Sequence, residues 1–455
     1  MMAKNDNAAR AAAFAPLSDL GNGIRFAQRE RGRLIYNGDA GAWYSFDGGR
    51  WRIDKACATM QAAKRCALGI LADAAAISND EVAEAVGKWA ARSQSIDKLG
   101  AMAKLAATEP GMMIRETDFD RDPWALNVAN GIVDLRCGSL GPHDPDRRCS
   151  KQSPIEYDVF ATAPTWARFV DWAFDGDKAL IDFVQRCVGY SLTASTRDHI
   201  FLFLYGSGAN GKSTFLGALL ELLGDYGGQA SPDLLIETRY QTHPTQIADL
   251  CGRRCVVGSE VAEGAGFDEV KLKWLTGGDR IKARYMRRDF FEFAPTHKLW
   301  LAGNHKPRVR GTDRGIWRRM RLVPFTRTLA PADIDPDLPL KLRAELPGIL
   351  TWAVDGAVRW FERGLETPAA VEAATADYRR EEDTFGLFLD ECTAPDAFAK
   401  PPKARLRSVY EGWCSRHGHK ALSPRAVKAR LIERGYQEAR SGSARCWVGL
   451  RILDA

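Results

Sequence analysis

The sequence lacks any run approaching the roughly 20 consecutive apolar residues that cross a bilayer. Its opening stretch, MMAKNDNAARAAAFAP, also has no continuous apolar core of the kind a secretory signal needs. No membrane span or export is therefore expected, and the cytosol is the expected compartment. The 10 cysteines are scattered from Cys57 to Cys446, and the closest pair, in CGRRC, has no second pair beside it. That spacing excludes the usual zinc sites and leaves reduced thiols packed in cores. No internal repeat is present, and no low-complexity tract beyond alanine enrichment. What remains is an ordinary balance, 45% hydrophobic and 27% charged, in a 455-residue chain long enough for about three domains.

The formal net charge of +6 hides an uneven distribution. Residues 271–327 hold 16 Lys/Arg against 4 Asp/Glu, and residues 398–455 hold 13 against 4, whereas residues 331–397 hold 6 against 15. Two separate basic regions fit a chain that grips a polyanion at two places, although either alone also fits a solvated surface.

Residues 24–55 read as short strands, with GAWYSFDGGRW alternating around a Gly-Gly turn. Residues 55–108 turn helical, with Ser78 offering one helix start. Residues 119–145 are dense in turn formers and read as a linker. Asp118 and Asp120 in this linker are not taken as a metal pair, since too little chain precedes them for a polymerase-like site. A helical segment over 164–194 leads to the strand HIFLFLYG, and LPGILTWAVDGAVRWFERGL, 346–365, has apolar residues at helical spacing. The acidic stretch ADYRREEDT, 376–384, reads as a charged helix or linker. In the last segment Leu406, Val409, Tyr410 and Trp413 share a helical face. Ser423, Pro424 and Gly435 start and stop a second helix, and YQEAR and ARCWVGLRI form a ribbon around SGS. Two helices and a ribbon predict a winged helix-turn-helix.

The chemistry centres on YGSGANGKSTF, 205–215. Gly206, Ser207, Gly208, Ala209, Asn210, Gly211, Lys212, Ser213 and Thr214 match the phosphate-loop pattern between an apolar strand and a helix, the context that pattern requires. The glycines let backbone N–H groups wrap phosphates, Lys212 reaches the β and γ phosphates, and the Ser213 hydroxyl meets Mg²⁺. The expected cofactors are therefore ATP and Mg²⁺. Downstream, a strand at Cys255–Gly258 ends in Glu260, the first choice to hold the metal shell and polarise water, with Glu263 the alternative. A third strand, 298–303, ends in Asn304, an amide able to bond both a γ phosphate and the attacking water. Arg318, Arg319 and Arg321 cluster before another apolar strand, as arginines supplied to a neighbouring subunit would. Between Glu260 and Asn304, IKARY and FFEF predict a hairpin with MRRD at its turn. Lys282, Arg284, Arg287 and Arg288 are then candidates to hold the phosphates of a single DNA strand. In the second C-terminal helix, Arg425, Lys428, Arg430 and Arg434 are placed to meet duplex DNA.

In this order, GSGANGKST, SE at 259–260, KWLTGGDRIKAR, NHKP at 304–307 and GIWRRMR resemble a superfamily 3 helicase. More narrowly, with PWALNVANGIVDLRCG and VGYSLTA, nearly the whole chain from about residue 24 is similar to the helicase part of phage and plasmid primase-helicases related to the poxvirus replication protein. The resemblance implies an α/β fold: a P-loop AAA+-like ATPase core, an N-terminal α+β helicase-associated domain and a C-terminal winged helix. The N-terminal domain with its turn-rich linker is expected over 1–150, the ATPase core with collar helices over 151–370, and the acidic linker and winged helix over 371–455. It implies an ATP-driven homo-hexameric ring moving on single-stranded and forked DNA, generally 3′ to 5′, with a separate primase as a partner. By the same resemblance Lys212 and Ser213 bind ATP and Mg²⁺, Glu260 is the Walker B acid, Asn304 is sensor 1, and Arg319 or Arg318 is the arginine finger. Two departures stand out: Val261 follows Glu260 where this superfamily often has a second acid, and the priming domain that longer relatives carry upstream is missing, so a helicase without primase is expected. A DNA-loading motor and an origin-binding regulator acting through the C-terminal helix are the competing readings.

Overall fold

Ser18 stands in extended backbone and its hydroxyl accepts the Gly21 N–H at 3.1 Å, which starts helix α1 (Asp19–Glu30). The computed structural model describes residues 15–75, 77–231, 234–237, 244–259, 264–309, 314–330, 332 and 334–453. The strands expected from residue 24 therefore begin only at 34. The preceding residues are helical because Phe26 and Ala27 fall on one buried face behind that cap.

Three antiparallel strands follow, β1 (Leu34–Asn37), β2 (Ala42–Phe46) and β3 (Trp51–Ile53), with β4 (Met113–Ile114) parallel to β1. Helices α2 (Ala58–Ala75), α3 (Asp80–Arg92) and α4 (Ile96–Ala106) complete this lobe. Phe26, Ala63, Cys66, Leu99 and Met102 form its core. The start of α3 is capped by Asn79 rather than Ser78: the Asn79 side chain accepts the Val82 N–H at 3.1 Å.

The turn-rich stretch expected as a linker folds into an antiparallel meander, β5 (Ala125–Val128), β6 (Gly131–Asp134) and β7 (Ser139–Gly141). Its apolar residues Leu126, Val128, Val133 and Leu135 share a core with helices α5 (Pro164–Ala173) and α6 (Lys178–Leu192).

The main sheet is wholly parallel. In chain order it uses β8 (Phe201–Tyr205), helix α7 (Lys212–Leu223), β9 (Gly227–Gln229) and β10 (Cys255–Ser259). After helix α8 (Glu269–Leu275) and a two-stranded ribbon, β11 (Ile281–Ala283) with β12 (Phe291–Phe293), come β13 (Lys298–Gly303) and β14 (Met320–Pro324). Spatial order is β14-β8-β13-β10-β9. Every residue of FLFL and KLWLAG is buried, as expected for parallel strands covered on both faces. The register sets Tyr205 beside Gly303 and Pro324, and Ser259 beside Ala302, so these strands finish along one edge. Two buried cations tie the meander and α6 beneath the other edge. Arg254 donates to the carbonyls of Ala125 and Leu192 at 2.8 and 2.6 Å, and Lys298 donates to that of Thr193.

Helices α9 (Leu338–Ala344) and α10 (Leu346–Arg363) return over the core. The acidic stretch resolves as helix α11 (Ala369–Glu382), with Tyr378 fully buried against Trp317. The C-terminal unit comprises α12 (Thr384–Cys392), β15 (Thr393–Asp396), α13 (Lys403–Arg416), α14 (Pro424–Glu433), β16 (Gln437–Ser441) and β17 (Ala444–Ile452). Its sheet has three strands, ordered β15-β17-β16, one more than the ribbon expected. Among the described residues no helix is long and apolar enough to cross a membrane.

Helices α6 and α10 meet backbone to backbone at two glycines. A Cβ on Gly189 would lie 2.0 Å from the Ala357 nitrogen, and one on Gly356 would lie 2.2 Å from the Gln185 oxygen. Gly356→Val should therefore cost about 1–3 kcal/mol or more by overpacking. Gly217→Ala, in an open position within α7, should gain roughly 0.5–1 kcal/mol. Thermal unfolding midpoints should move in opposite directions for the two variants.

Candidate functional site

The loop between β8 and α7 is built from residues with no room or no freedom to be otherwise. A Cβ on Gly206 would meet the Phe325 oxygen at 2.1 Å, and Gly211 stands at φ +83° with its Cβ position 2.8 Å from the Phe169 ring. Gly208 faces open space, and Ala209 adopts a left-handed φ of +56°. Gly211 caps α7 without a side-chain acceptor, so the first-turn N–H groups are left for an outside acceptor, and the helix terminus adds positive potential. The segment after β14 closes one side: the Leu329 N–H donates to the Ala209 carbonyl at 2.9 Å, and the Ser207 and Thr328 hydroxyls lie 3.0 Å apart.

Lys212 is 6% exposed. Its ammonium donates to the Gly206 oxygen at 2.7 Å, the Asn210 Oδ1 at 2.9 Å, the Asn304 Oδ1 at 3.1 Å and the Ser207 oxygen at 3.4 Å. All four acceptors are neutral, and burial pushes the amine down to about 8. Asn304 comes from the end of β13. The pairing of β13 with β8 carries it 92 residues along the chain to Lys212. Asn210 also donates from its amide nitrogen to the Phe325 carbonyl at 3.3 Å, which fixes which face of the amide meets the lysine.

This donor set fits a chain of phosphates: a buried cation beside neutral dipoles, free N–H groups at a helix start, and the exposed Ser213 beside half-buried Thr214. Of the oxygen ligands expected for Mg²⁺, Ser213 is at the helix start, while Glu260 and Glu263 lie outside the described residues. Among those described, no cluster of three or more His, Cys, Asp or Glu could hold a metal ion.

The arginines are placed differently. Met320 pairs with Phe201 at the start of β8, so Arg318 and Arg319 sit at the edge opposite the glycine-rich loop, roughly 13 Å away along the strand at 3.3 Å per residue. Arg318 is exposed. Arg319 is half-buried and donates to the Gly315 carbonyl at 2.7 Å. Arg321 bonds Thr367 at 3.2 Å and the Arg318 carbonyl at 2.9 Å, an inward structural position.

The β11–β12 ribbon is shorter than expected, three residues a side, so its loop runs from Arg284 to Phe290 rather than MRRD alone. Lys282, Arg284, Arg287 and Arg288 are all exposed. Arg287 takes a left-handed φ of +59°, and Lys282 and Arg284 lie over the exposed Phe290 ring at 5.3 and 4.9 Å. Cations and an aromatic are thus presented together to solvent.

A second basic surface lies on the C-terminal unit. Lys403, Arg407, Arg425, Lys428, Arg440 and Arg445 line a groove over Trp447. Lys403 and Lys428 both contact Glu438, Lys428 at 2.7 Å. Arg440 and Arg445 are directly opposed in the β16–β17 register. Arg430 and Arg434, expected beside Arg425, instead reach Asp383 at the end of α11. The helical period carries them to the core-facing side. Sequence reasoning missed Lys306, Tyr378, Glu381 and Glu382, which meet beside Asn304. The signal available was the acidic run at 381–383 set against NHKPRVR.

Two family models match the chain: "D5 N terminal like" over residues 23–175 and "Family of unknown function (DUF5906)" over 204–319. The chain is 25% identical over 300 residues to "Putative helicase L207/L206" of Acanthamoeba polyphaga mimivirus, covering 60% of this chain and 31% of that protein. It is 24% identical over 381 residues to "Putative helicase 022R" of Frog virus 3 (isolate Goorha), covering 65% and 39%. The chain thus spans about a third of the length of these curated relatives. Among solved structures, the apo C-terminal region of NrS-1 superposes with a TM-score of 0.51 at 9% identity, covering 92% of this chain and 96% of that one, a likeness of fold.

The Lys212 amine sets a pH dependence. Phosphate oxygens stabilise its charged form, so its pKa rises on binding; binding takes up a proton above about pH 8, and affinity falls as pH rises through that window. Calorimetry with inorganic tripolyphosphate in buffers of differing ionisation enthalpy should show no uptake from this group well below pH 8. Uptake should approach one proton above it.

Proposed function

Given a chain related to the phage and viral primase-helicases, we propose that it is the ATP-driven helicase part of such a machine, a superfamily 3, AAA+-type ring that moves on single-stranded DNA. The observation that carries this reading is the buried Lys212 ammonium, held only by neutral acceptors at the start of α7 and touched by Asn304 from the adjacent strand. When bound, ATP with Mg²⁺ supplies the scissile phosphoanhydride and neutralises its charge.

Gly206 to Thr214 wrap the phosphates with backbone N–H groups, and Lys212 exchanges its carbonyl partners for phosphate oxygens. Ser213 and Glu260 serve the metal shell. Asn304 orients the attacking water, its amide already aimed at the lysine that marks the terminal phosphates. Arg319, or Arg318, acts on the neighbouring subunit's nucleotide, because its own loop lies at the far end of β8. The exposed ribbon loop, with Arg287 and Arg288 at its tip, holds the DNA backbone within the ring, while Arg284 and Phe290 offer a stacking surface. The C-terminal unit is a winged helix-turn-helix whose Arg425 and Lys428 contact duplex DNA, which supports a loading or origin-binding role alongside translocation. A homo-hexamer working in the host cytoplasm is the assembly this implies.

Lys212→Ala should lower ATP turnover at least about 100-fold, as loss of a preorganised charge contact does. Mixing it with Arg319→Ala or Arg318→Ala subunits should restore part of the activity, and additive inactivity in mixtures would remove the trans role. The Arg287→Ala, Arg288→Ala double variant should reduce the slope of log affinity for single-stranded DNA against log salt by about 1.4, two phosphates at roughly 0.7 each. An unchanged slope in a titration series would place the DNA elsewhere.

A further inference from the structure

The strand end that carries Asn304 is held from outside the sheet. The Lys306 ammonium lies 2.7 Å from Glu381 Oε2 and sits between the rings of Tyr205 and Tyr378, at 5.0 and 5.3 Å. The Tyr378 hydroxyl donates to the Pro307 carbonyl. The Val309 N–H donates to Glu382 Oε2 at 2.8 Å. Apart from the Tyr205 ring, these contacts come from the last turn and a half of α11, and they clasp residues 306–309 just beyond Asn304. Tyr205 is the residue before Gly206, so Lys306 also touches the root of the glycine-rich loop.

The same helix end reaches the C-terminal unit. Asp383 follows Glu382, and its Oδ1 caps α12 by accepting the Gly386 N–H at 3.0 Å. Its carboxylate receives the Arg434 guanidinium and lies 3.7 Å from that of Arg430, both at the end of α14, the helix that carries Arg425 and Lys428. Polar contacts join Lys212 to Asn304, residues 306–309 to Glu381 and Glu382, and Asp383 to α14, and the short backbone steps from Asn304 to Lys306 and from Glu382 to Asp383 complete the path from the loop to the basic groove. Charged partners half-withdrawn from water make such contacts stiff: an unpaired Glu382, whose carboxyl is pushed up by burial, is costly to leave without its N–H partner.

We propose that the acidic end of α11 positions Asn304 and, through Asp383, makes nucleotide binding at the glycine-rich loop and duplex DNA binding by the C-terminal unit mutually dependent. This rests on the reading of that loop as the ATP site. When Lys212 turns from Asn304 to phosphate, Asn304 loses a partner and its loop settles anew against α11. A duplex that draws on α14 biases the same helix from the other side, and linkage requires the two effects to be equal in size.

The test uses the full chain, ATP and a duplex oligonucleotide. Saturating duplex should change the dissociation constant for ATP by about five-fold or more, with the reciprocal change for duplex. Asp383→Ser retains a helix cap but is too short to hold Arg434. It should leave each separate affinity within about twofold while the coupling factor falls to near one. Glu382→Ala should lower kcat for ATP with KM held, and Glu382→Gln, which still accepts the Val309 N–H, should restore most of it. The proposal is overturned by a wild-type coupling factor of one, whether duplex fails to bind or binds silently, by undiminished coupling in Asp383→Ser, or by a Glu382→Ala defect confined to the unfolding midpoint. Failure of ATP to bind at all would instead fell the nucleotide reading, a result distinguishable from ATP binding without coupling.

Discussion

An ammonium group enclosed by protein and satisfied only by neutral oxygens is the constraint on which the rest of the site depends. Lys212 gains no counter-charge from the contacts it makes, and its amine is correspondingly pushed down. That arrangement is costly to hold in the folded chain unless something negative is meant to enter. Holding it takes the parallel sheet: β8 delivers the loop, β13 delivers Asn304, and their in-register pairing brings the two together at one edge.

The other buried cations show the contrast. Arg254 and Lys298 are also solvated by backbone carbonyls, yet both are closed in, with Arg254 over the Tyr226 ring and Lys298 beside that of Tyr190. They staple the meander and α6 under the sheet and leave no face for a ligand. Lys212 differs in standing beside exposed Ser213 and an open Gly208. Burial of a cation alone is not a sign of a site; burial with one face left open is.

Much of the core was legible because parallel strands read as unbroken apolar runs and the glycine-rich motif needs a strand before it and a helix after it. IFLFLY, KLWLAG and the helix behind Lys212 all followed that rule. The first lobe was harder: residues 24–30 lie in a helix whose start depends on one serine hydroxyl, and the aromatic alternation just beyond drew the strand reading too far back. The meander at 125–141 hid behind its own turn residues, which separate strands only three or four residues long. The clasp around residues 306–309 left only its acidic run as a signal, for a different reason. It joins positions more than 70 residues apart by charge, and charge pairing leaves no period in a sequence. Arg430 and Arg434 were assigned to the wrong side of their helix for want of Asp383 as a known neighbour.

The pairing of Arg440 opposite Arg445 in the β16–β17 register has a consequence for selectivity. Like charges directly opposed across an antiparallel ladder weaken it. The hairpin tip thus carries a built-in electrostatic frustration that only an anionic visitor relieves. A neutral or cationic surface of the same shape would gain nothing by docking there, so the pair favours a visitor by the sign of its charge alone.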